Sequence, residues 1–384
     1  MDRKVHLISF DVPFPPDYGG AIDVYYKIAA LKAIGIQVIL HCFDYGRGRA
    51  DSLRFLCDEV HYYPRKSFWR NIFSGVPYIV ASRNHPLLFE RVTADPYPIL
   101  FEGLHTCFFL PHPKWEQKKK VVRMHNIEWH YYSQLAKVEA NIFKKAYYSA
   151  ESYLLKKYEP IVKFADTLCA ISVSEQAYFS GKTSHCVLLP AFHSYEKIET
   201  EVGIGRFLLY HGNLSVAENE QAVKLLLEKV MPHLPDMELV IAGKRPSAKL
   251  VEWVKHAKNI RLVSEPNETQ LCQLIQEAHV HLLPALQNTG VKLKLLHALF
   301  KGRYCLGNTA MVGGSMVEEL CLVEDDLEKW PLLIRSLSTE PFPMEEVDRR
   351  KRVLGQYYDN RANAHQLEKI LFDDGRNGKI SRPD

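Results

Sequence analysis

The segment VHLISFDVPFPPDYGGAIDVYYKIAALKAIG (residues 5–35) determines the fold class. Its continuous apolar run at 5–10 predicts a buried strand. The amphipathic pattern after it predicts a helix with Gly35 as its stop signal. The connecting loop carries three prolines and the pair Gly19-Gly20. A buried strand followed by a helix is the unit from which parallel sheets covered on both faces are built.

The same strand–helix unit recurs nearly from end to end. A polar break at 191–205 (AFHSYEKIETEVGIG) separates two runs of such units. We therefore predict an α/β protein with two doubly wound Rossmann-like domains whose parallel sheets face a central cleft, where ligands are expected beyond the strand ends. The predicted domains are 1–195 and 196–347, and a helix at about 348–372 packs back on the first. The predicted strands are 5–10, 36–43, 60–64, 98–103, 121–125, 167–172, 185–190, 206–212, 237–243, 259–263, 280–286, 303–307 and 321–325.

Composition is that of an ordinary soluble protein, with 47% hydrophobic and 24% charged residues among 384. No apolar run approaches the roughly 18 residues that a membrane-spanning helix needs, and the N-terminus has no secretory signal pattern. The eight cysteines are scattered without a C-x-x-C pair, which argues against a disulfide framework or structural zinc. These features predict a cytoplasmic protein. The net charge of +4 is too small to indicate nucleic-acid binding.

Gly19 and Gly20 stand just before the first helix. Glycines at a helix start allow a ligand to approach the backbone, and free N–H groups there attract a phosphate. The plainer interpretation is a turn that only joins strand to helix. The loop matches neither G-x-G-x-x-G nor the P-loop pattern, which argues against a dinucleotide enzyme and a P-loop protein.

His125 ends the apolar strand in VVRMHNIEWHYY, at the edge where active-site groups collect in this architecture. We interpret it as a substrate contact; the alternative is a histidine that caps the next helix. Glu128 and His130 raise the question of a metal site. The spacing H-x-x-E-x-H matches neither common zinc pattern, so no metal is predicted.

The segment ALQNTGVKLKLLHALFKGRYCLGN (285–308) gives the most specific local signal. An apolar strand ends, Gly290 opens a tight turn, and Lys292 and Lys294 stand at the mouth of a helix. Two lysines, a glycine and free helix N–H groups form a suitable diphosphate cradle. The alternative is a solvated basic helix start.

Taken together, these segments resemble the retaining GT-B glycosyltransferases of family 4, which use nucleotide-diphosphate sugars. The resemblance covers essentially the whole chain, with six motifs in the same order. They are the Gly19-Gly20 loop, MHNIEWHYY (124–132), ADTLCAIS (165–172), LLYHGNLSVAENEQAV (208–223), LVIAGKRPS (239–247) and GVKLKLLHALFKG (290–302).

The resemblance implies a GT-B fold and a role for each matching residue. His125 would lie beside the transferred sugar as the catalytic residue. Amides and lysines would stabilise the diphosphate leaving group, so that neither metal nor cofactor is required. The implied donor-binding residues are Gly19, Gly20, Gly212, Asn219, Lys244, Gly290, Lys292, Lys294 and His297.

One departure from the family pattern concerns the nucleotide. The family has paired glutamates across the 290–302 segment, the second of which holds the ribose, whereas this chain has Thr289 and His297. A neutral histidine accepts one hydrogen bond where a carboxylate accepts two, so we expect weaker or altered nucleotide binding. In addition, VLLPAFHSYE (187–196) replaces the family's usual P-N-G turn.

Residues 1–195 hold 24 Lys and Arg against 18 Asp and Glu. The surplus of basic residues occurs together with aromatic residues in the segments 65–73, 112–120 and 143–164. The pattern of the last segment predicts one helix. Such segments can lie on an anionic membrane, with rings in the interface and lysines on phosphates. The alternative is a solvated face above an ordinary core. The first interpretation places the protein on the inner face of the cell membrane.

Three functions follow, in order of preference. The first is a retaining, metal-independent glycosyltransferase (a hexosyltransferase) that builds a polysaccharide on a glycan or lipid-linked acceptor. The second, kept open by His297, is a catalytically silent GT-B protein that binds a glycan or supports a partner enzyme. The third is a sugar-nucleotide epimerase of the same architecture, for which the chain shows no recognisable acid–base set.

Overall fold

In a computed structural model, the described residues are 3–67, 75–139, 141–183, 185–255, 257–287 and 293–373. The chain divides into two compact units. The first unit comprises residues 1–194 and 360–384, and the second comprises residues 195–359. Each unit contains one parallel sheet with helices packed on it.

The first unit has seven parallel strands in the order β3-β2-β1-β4-β5-β6-β7. Its strands are β1 Lys4–Ser9, β2 Gln37–Asp44, β3 Glu59–Pro64, β4 Ile99–Glu102, β5 Lys120–Arg123, β6 Thr167–Ala170 and β7 Cys186–Leu188. Its helices are α1 Gly19–Ala33, α2 Tyr78–Ala81, α3 Pro86–Thr93, α4 Glu128–Val138, α5 Ile142–Tyr158, α6 Val173–Ser180 and, from the C-terminus, α14 Asn360–Phe372.

The second unit has six parallel strands in the order β10-β9-β8-β11-β12-β13. Its strands are β8 Leu208–His211, β9 Leu239–Gly243, β10 Ile260–Ser264, β11 Val280–Leu283, β12 Tyr304–Gly307 and β13 Leu322–Val323. Its helices are α7 Ala217–Leu225, α8 Ala248–Lys255, α9 Glu268–Glu277, α10 Leu293–Lys301, α11 Thr309–Val312, α12 Trp330–Thr339 and α13 Met344–Tyr357.

All thirteen predicted strands are present, and the prediction of two Rossmann-like parallel-sheet units is confirmed. The central strands β1, β4, β5 and β6 are buried on both faces, as their continuous apolar runs require. Gly35 has a φ of 84°, the left-handed conformation that ends α1 and that glycine adopts at little cost.

The C-terminal tail differs from the single helix predicted over about 348–372. The structure has two helices, α13 and α14. The apolar face of α13 (Val353, Leu354) lies in the core of the second unit. Helix α14 packs against α1 and contributes Leu367 and Leu371 to the first core. The prediction of one helix was wrong because two helices follow each other closely, and the apolar face of each packs against a different core.

The proposed membrane-facing segments also change. Trp115, in the 112–120 segment, is completely buried, and its indole N–H donates to Thr93 Oγ1 at 2.9 Å. That aromatic residue is therefore a core residue. The 143–164 segment is not one helix, since α5 ends at Tyr158 and a 3₁₀ segment, Glu159–Phe164, follows. Residues 68–73 of the 65–73 segment lie outside the described residues, as does residue 74.

Each sheet has one point where the strand order reverses. In the first unit this point lies between β1 and β4, and in the second between β8 and β11. Loops leave these neighbouring strands in opposite directions, which opens a crevice at their carboxyl ends. Phe10 and Gly103 follow β1 and β4, whereas Gly212 follows β8.

Candidate functional site

The Phe10 ring organises the crevice of the first unit. Its centroid lies 5.2 Å from that of His105 and 5.3 Å from that of His125, the latter edge-on. A Cβ atom on Gly20 would lie 2.5 Å from Phe10 Cζ, so the ring occupies the space that the glycine leaves. Gly20 was expected to let a ligand approach the backbone, but here the missing side chain accommodates an aromatic ring. Phe10 thus joins the Gly19-Gly20 turn to His125.

His125 lies two residues beyond β5 and is only 9% exposed. Its Nε2 is 2.8 Å from Glu102 Oε2, and its Nδ1 is 3.9 Å from Asp23 Oδ2. A carboxylate accepts only, so Nε2 carries the proton in the contact with Glu102. Glu102, the last residue of β4, therefore fixes the ring of the predicted catalytic histidine.

Beneath His125 lies a buried network of charges. Lys27 Nζ donates to Asp23 Oδ2 at 2.8 Å and to Glu102 Oε1 at 2.7 Å, and Arg123 Nη2 donates to Asp23 Oδ1 at 3.1 Å. Burial would raise the pKa of Asp23, but Arg123 and Lys27 hold it well below its usual range. Burial likewise opposes ionisation of Glu102, whose pKa is nevertheless lowered by Lys27 and His125. The network thus consists of ionised and mutually compensated groups.

Asp23, Glu102 and His125 could in principle hold a metal ion, because each offers a ligand atom within 4.8 Å of the others. However, the Lys27 ammonium is hydrogen-bonded to both carboxylates. It supplies the positive charge that a cation would bring. The trio is thus already neutralised by a side chain of this protein.

Glu128 begins α4, and its side chain is 3% exposed. Burial and the nearby Glu175 raise the pKa of Glu128 to about 8, so it is largely protonated at neutral pH. Its Oε1 lies 3.9 Å from His105 Nδ1, and among the described residues neither atom has a hydrogen-bond partner. Burial and Arg83 hold the pKa of His105 well below its usual value. A neutral acid and a neutral imidazole thus share this side of the crevice.

The crevice of the second unit is built on Tyr210 in β8. Asn219 Oδ1 accepts from the Tyr210 hydroxyl at 3.1 Å and from Lys294 Nζ at 2.7 Å, and Asn219 Nδ2 donates to the Asn213 carbonyl at 2.9 Å. The Lys294 ammonium also lies 5.0 Å from the Tyr210 ring centroid. Gly212 lies against the same amide, since a Cβ there would be 3.4 Å from Asn219 Nδ2. Gly212, Asn219 and Lys294 are therefore brought together, as the resemblance implies.

Lys244 lies on the adjacent loop, after β9, and is exposed. Its carbonyl accepts from Leu214 N at 2.9 Å, which fixes this loop to the one after β8. A Cβ on Gly243 would lie 1.9 Å from the Gly212 carbonyl oxygen, so only glycine allows this approach. The loop places the Lys244 backbone beside the Gly212 turn.

His297 lies on α10 among aromatic rings and a thiol. Its centroid is 5.1 Å from that of Tyr195 and 5.6 Å from that of His211, and its Nε2 is 3.7 Å from Cys272 Sγ. Burial and Lys301 lower the pKa of His297 to about 4, so the ring is neutral at physiological pH. A neutral imidazole has a single acceptor nitrogen, so the predicted ribose contact of His297 stays a prediction.

Two predicted donor-binding residues, Gly290 and Lys292, lie outside the described residues, as does Thr289. Gly19 begins α1 as expected. Sequence reasoning did not identify the residues that hold the predicted ones in place. In the first unit these are Phe10, Asp23, Lys27, Glu102 and Arg123, and in the second they are Tyr210 and Asn213.

Comparison with known proteins supports the same architecture. No protein-family model matches the chain. A Klebsiella pneumoniae relative, described as an uncharacterized 44.6 kDa protein in the cps region, is 26% identical over 351 residues, which cover 84% of this chain and 88% of the relative.

Solved structures of glycosyltransferases share the fold. WaaG, a glycosyltransferase involved in lipopolysaccharide biosynthesis, is 15% identical with a TM-score of 0.65 and covers 96% of this chain and 99% of its own. Anabaena HepE, solved with UDP and glucose, is 11% identical with a TM-score of 0.64 and the same coverage. The chain therefore has the two Rossmann-like units of the GT-B fold class.

The raised pKa of Glu128 predicts a pH-dependent stability. In the unfolded chain this carboxyl ionises above about pH 4, whereas the folded protein keeps its proton until about pH 8. The folded state then binds more protons, so the free energy of unfolding falls as pH rises between these values. Glu128→Gln removes this titration, so the slope of the free energy of unfolding against pH should become less steep by about 1.4 kcal/mol per pH unit.

Urea titrations at pH 5, 6 and 7 measure this slope. The exposed Glu116→Gln serves as the matched control and should keep the wild-type slope. Equal slopes for Glu128→Gln and wild type would show that Glu128 is ionised in the folded protein.

Proposed function

We propose that the protein is a glycosyltransferase that moves a sugar from a nucleotide-diphosphate sugar to a glycan or lipid-linked acceptor in polysaccharide biosynthesis. The transfer retains the anomeric configuration and uses no divalent metal. The observation that carries the proposal is the arrangement of Lys294, Asn219 and Gly212 around Tyr210 at the carboxyl end of β8. A lysine held in place beside a glycine turn is suited to a diphosphate.

The chemistry follows from where charge develops. When the bond between sugar and nucleotide breaks, negative charge accumulates on the diphosphate. The Lys294 ammonium, which Asn219 and Tyr210 already fix, and the exposed Lys244 on the adjacent loop can stabilise that charge. In this role they replace a metal ion, and the acceptor attacks from the face that the diphosphate leaves.

His125 has the corresponding role in the first unit. With Nε2 bound to Glu102, the ring is fixed beside Phe10, and Nδ1, 3.9 Å from Asp23 Oδ2, is the ring nitrogen left for a substrate. A fixed ring nitrogen can hydrogen-bond a hydroxyl of the transferred sugar and hold it in a reactive orientation. We assign this positioning contact to His125 and the support of its ring to Glu102.

The relatives are consistent with this class of reaction. The Klebsiella relative comes from a cps region, WaaG acts in lipopolysaccharide biosynthesis, and HepE was solved with UDP and glucose. We extend these properties to the present chain as a proposal: a nucleoside diphosphate sugar as donor and a growing surface polysaccharide as product.

A second candidate is a catalytically silent protein that keeps the fold. The neutral, half-buried His297, in the position where the family holds the ribose, favours it. The two candidates differ in nucleotide affinity, because a silent protein has no need to bind a donor.

Calorimetric titration with nucleoside diphosphates and nucleotide sugars, without divalent metal, separates them. We expect one base to bind in the micromolar range. Lys294→Ala should weaken this binding by about tenfold or more, since a charge-assisted hydrogen bond contributes about 1.5–3 kcal/mol. Lys255→Ala, an exposed lysine on α8, should leave it unchanged.

Failure of every nucleotide to bind the folded protein would favour the silent candidate. Equal binding by Lys294→Ala and wild type would remove Lys294 from the donor site.

We further propose that helix α5 and the segment after it contact an anionic membrane that carries the acceptor. Ile142, Phe143, Tyr153 and Phe164 are 68%, 83%, 59% and 43% exposed. Exposed lysines lie between them at 144, 145, 156, 157 and 163. None of the described helices is long and apolar enough to cross a membrane. Exposed rings with interleaved lysines are the pattern of an interfacial contact.

Sedimentation with vesicles of anionic and of neutral lipid tests this contact. We expect binding to anionic vesicles that falls as salt rises. Phe143→Ser should reduce it, because a largely exposed ring is removed from the interface, whereas Leu332→Ser, 75% exposed on α12, serves as control. Absence of binding to anionic vesicles at low salt would refute the membrane contact.

A further inference from the structure

Arg83 follows the short helix α2 in the first unit and is 5% exposed. Its Nε donates to the Phe10 carbonyl at 2.7 Å, and its Nη1 donates to the Ile79 carbonyl. Among the described residues, its Nη2 has no hydrogen-bond partner and the guanidinium makes no ion pair. A buried arginine is ordinarily paired with an anion, because removing its charge from water costs several kcal/mol.

The nearby carboxyl groups form no ion pair with Arg83 among the described residues. Asp11 accepts from Val12 N at 2.9 Å and from the Tyr18 hydroxyl at 3.1 Å, and it forms no ion pair with Arg83. Glu128, whose pKa is raised to about 8, is largely protonated. The positive charge of Arg83 is thus offset through space by Asp11 but is held in no ion pair among the described residues.

A second arginine adds to this charge. Arg65, directly after β3, contacts Ser82 Oγ through Nε at 3.4 Å and Nη2 at 3.3 Å. Its guanidinium carbon lies 4.2 Å from the Tyr45 ring centroid, and the described residues supply it with no carboxylate. After burial, Arg65 is the strongest influence lowering the pKa of Arg83, to about 9. Two like charges held close together are unfavourable unless an anion binds between them.

The same part of the crevice offers unused polar atoms. His105 Nδ1 and Glu128 Oε1 are buried, 3.9 Å apart, and unpaired among the described residues. Both residues lie within the electrostatic range of Arg83. The ring of Phe10, whose carbonyl accepts from Arg83, also packs against His105. Buried polar atoms without partners are costly, and a hydroxyl group placed there would satisfy both.

We infer that this part of the crevice binds the acceptor, and that the acceptor is a sugar bearing an oxyanion, a phosphate or a carboxylate. Arg83 and Arg65 hold the oxyanion, whereas His105 and Glu128 hold a sugar hydroxyl. The planar fork of arginine matches both oxyanions in geometry. The inference rests on the proposed function and defines the chemical class of its acceptor.

A purely structural Arg83 is the competing explanation. Its bonds to Phe10 and Ile79 would then be its whole role. Hydrogen bonds to two carbonyls do not require a charged donor. A purely structural role also does not explain why the Arg65 guanidinium lies close enough to repel that of Arg83. The two explanations make different predictions for ligand binding.

The experiment is a calorimetric titration of the full-length protein with four probes: glucose 1-phosphate, glucuronate, glucose and inorganic phosphate. A saturating nucleoside diphosphate is present throughout, so that the probes do not compete for the donor site. We expect one charged sugar to bind at least tenfold tighter than glucose. Whether that sugar is the phosphate or the carboxylate identifies the oxyanion.

Arg65→Met and Arg83→Lys should each lose most of this preference, because the first removes a charge and the second removes the fork. Arg54→Met, whose side chain is 71% exposed in the same unit, should retain it. Arg83→Lys keeps a cation in the buried position, and circular dichroism establishes that each variant is folded.

Three results would overturn the inference: equal binding of charged and neutral sugars, a preference that survives both arginine substitutions, or no binding of any probe. Arginine-dependent binding of inorganic phosphate that the sugar does not improve would overturn the assignment of His105 and Glu128. Failure of the proposed function is a separate observation, since it appears as loss of nucleoside diphosphate binding in the wild-type protein.

Discussion

The first unit depends on a single buried ammonium group. Lys27 is completely buried and compensates Asp23 on its own helix and Glu102 on β4. Removing it would leave Glu102 without a cationic partner of its own and Asp23 with Arg123 alone, and breaking a buried ion pair costs about 3–5 kcal/mol in comparable cases. Because Glu102 also holds His125, the same group that stabilises the packing of α1 on the sheet determines the orientation of the candidate catalytic ring.

The network also fixes the end of the first unit. Asp23 Oδ1 accepts from Phe192 N at 2.8 Å, and Arg123 donates to the Leu189 and Pro190 carbonyls. The second unit uses a neutral counterpart, in which Asn219 joins Tyr210 to Lys294. In the first unit helix side chains tie strand ends together, and in the second Asn219 ties a strand to helix α10, so each candidate site is preorganised by the packing beneath it.

Strand positions were predictable because continuous apolar runs of parallel strands differ clearly from amphipathic helices. The predicted site residues Gly212, Asn219 and Lys294 also meet in space, since motifs at the carboxyl ends of strands converge at one edge. The long tail was misread because helical periodicity continues from α13 to α14, and sequence alone does not show that the two faces pack against different cores.

The supporting residues were less accessible to sequence reasoning. Asp23 and Lys27 resemble an ordinary exposed pair at i and i+4, and Glu102 ends an apolar strand without any motif around it. Arg83 carries no pattern at all. Its significance comes from the absence of a described carboxylate partner, which only three-dimensional placement shows. The sequence alone therefore does not show which charged residues are buried and which of them are paired with each other.

The proposed reaction is sugar transfer with retention of the anomeric configuration and without a metal ion. The most direct measurement follows the anomeric proton by NMR while the protein, in the presence of a chelator, consumes the nucleotide sugar that it binds. A retaining transfer predicts that the sugar first transferred, or first released to water, has the same anomeric configuration as the donor. Formation of the opposite anomer, or no consumption of the bound donor, would contradict it.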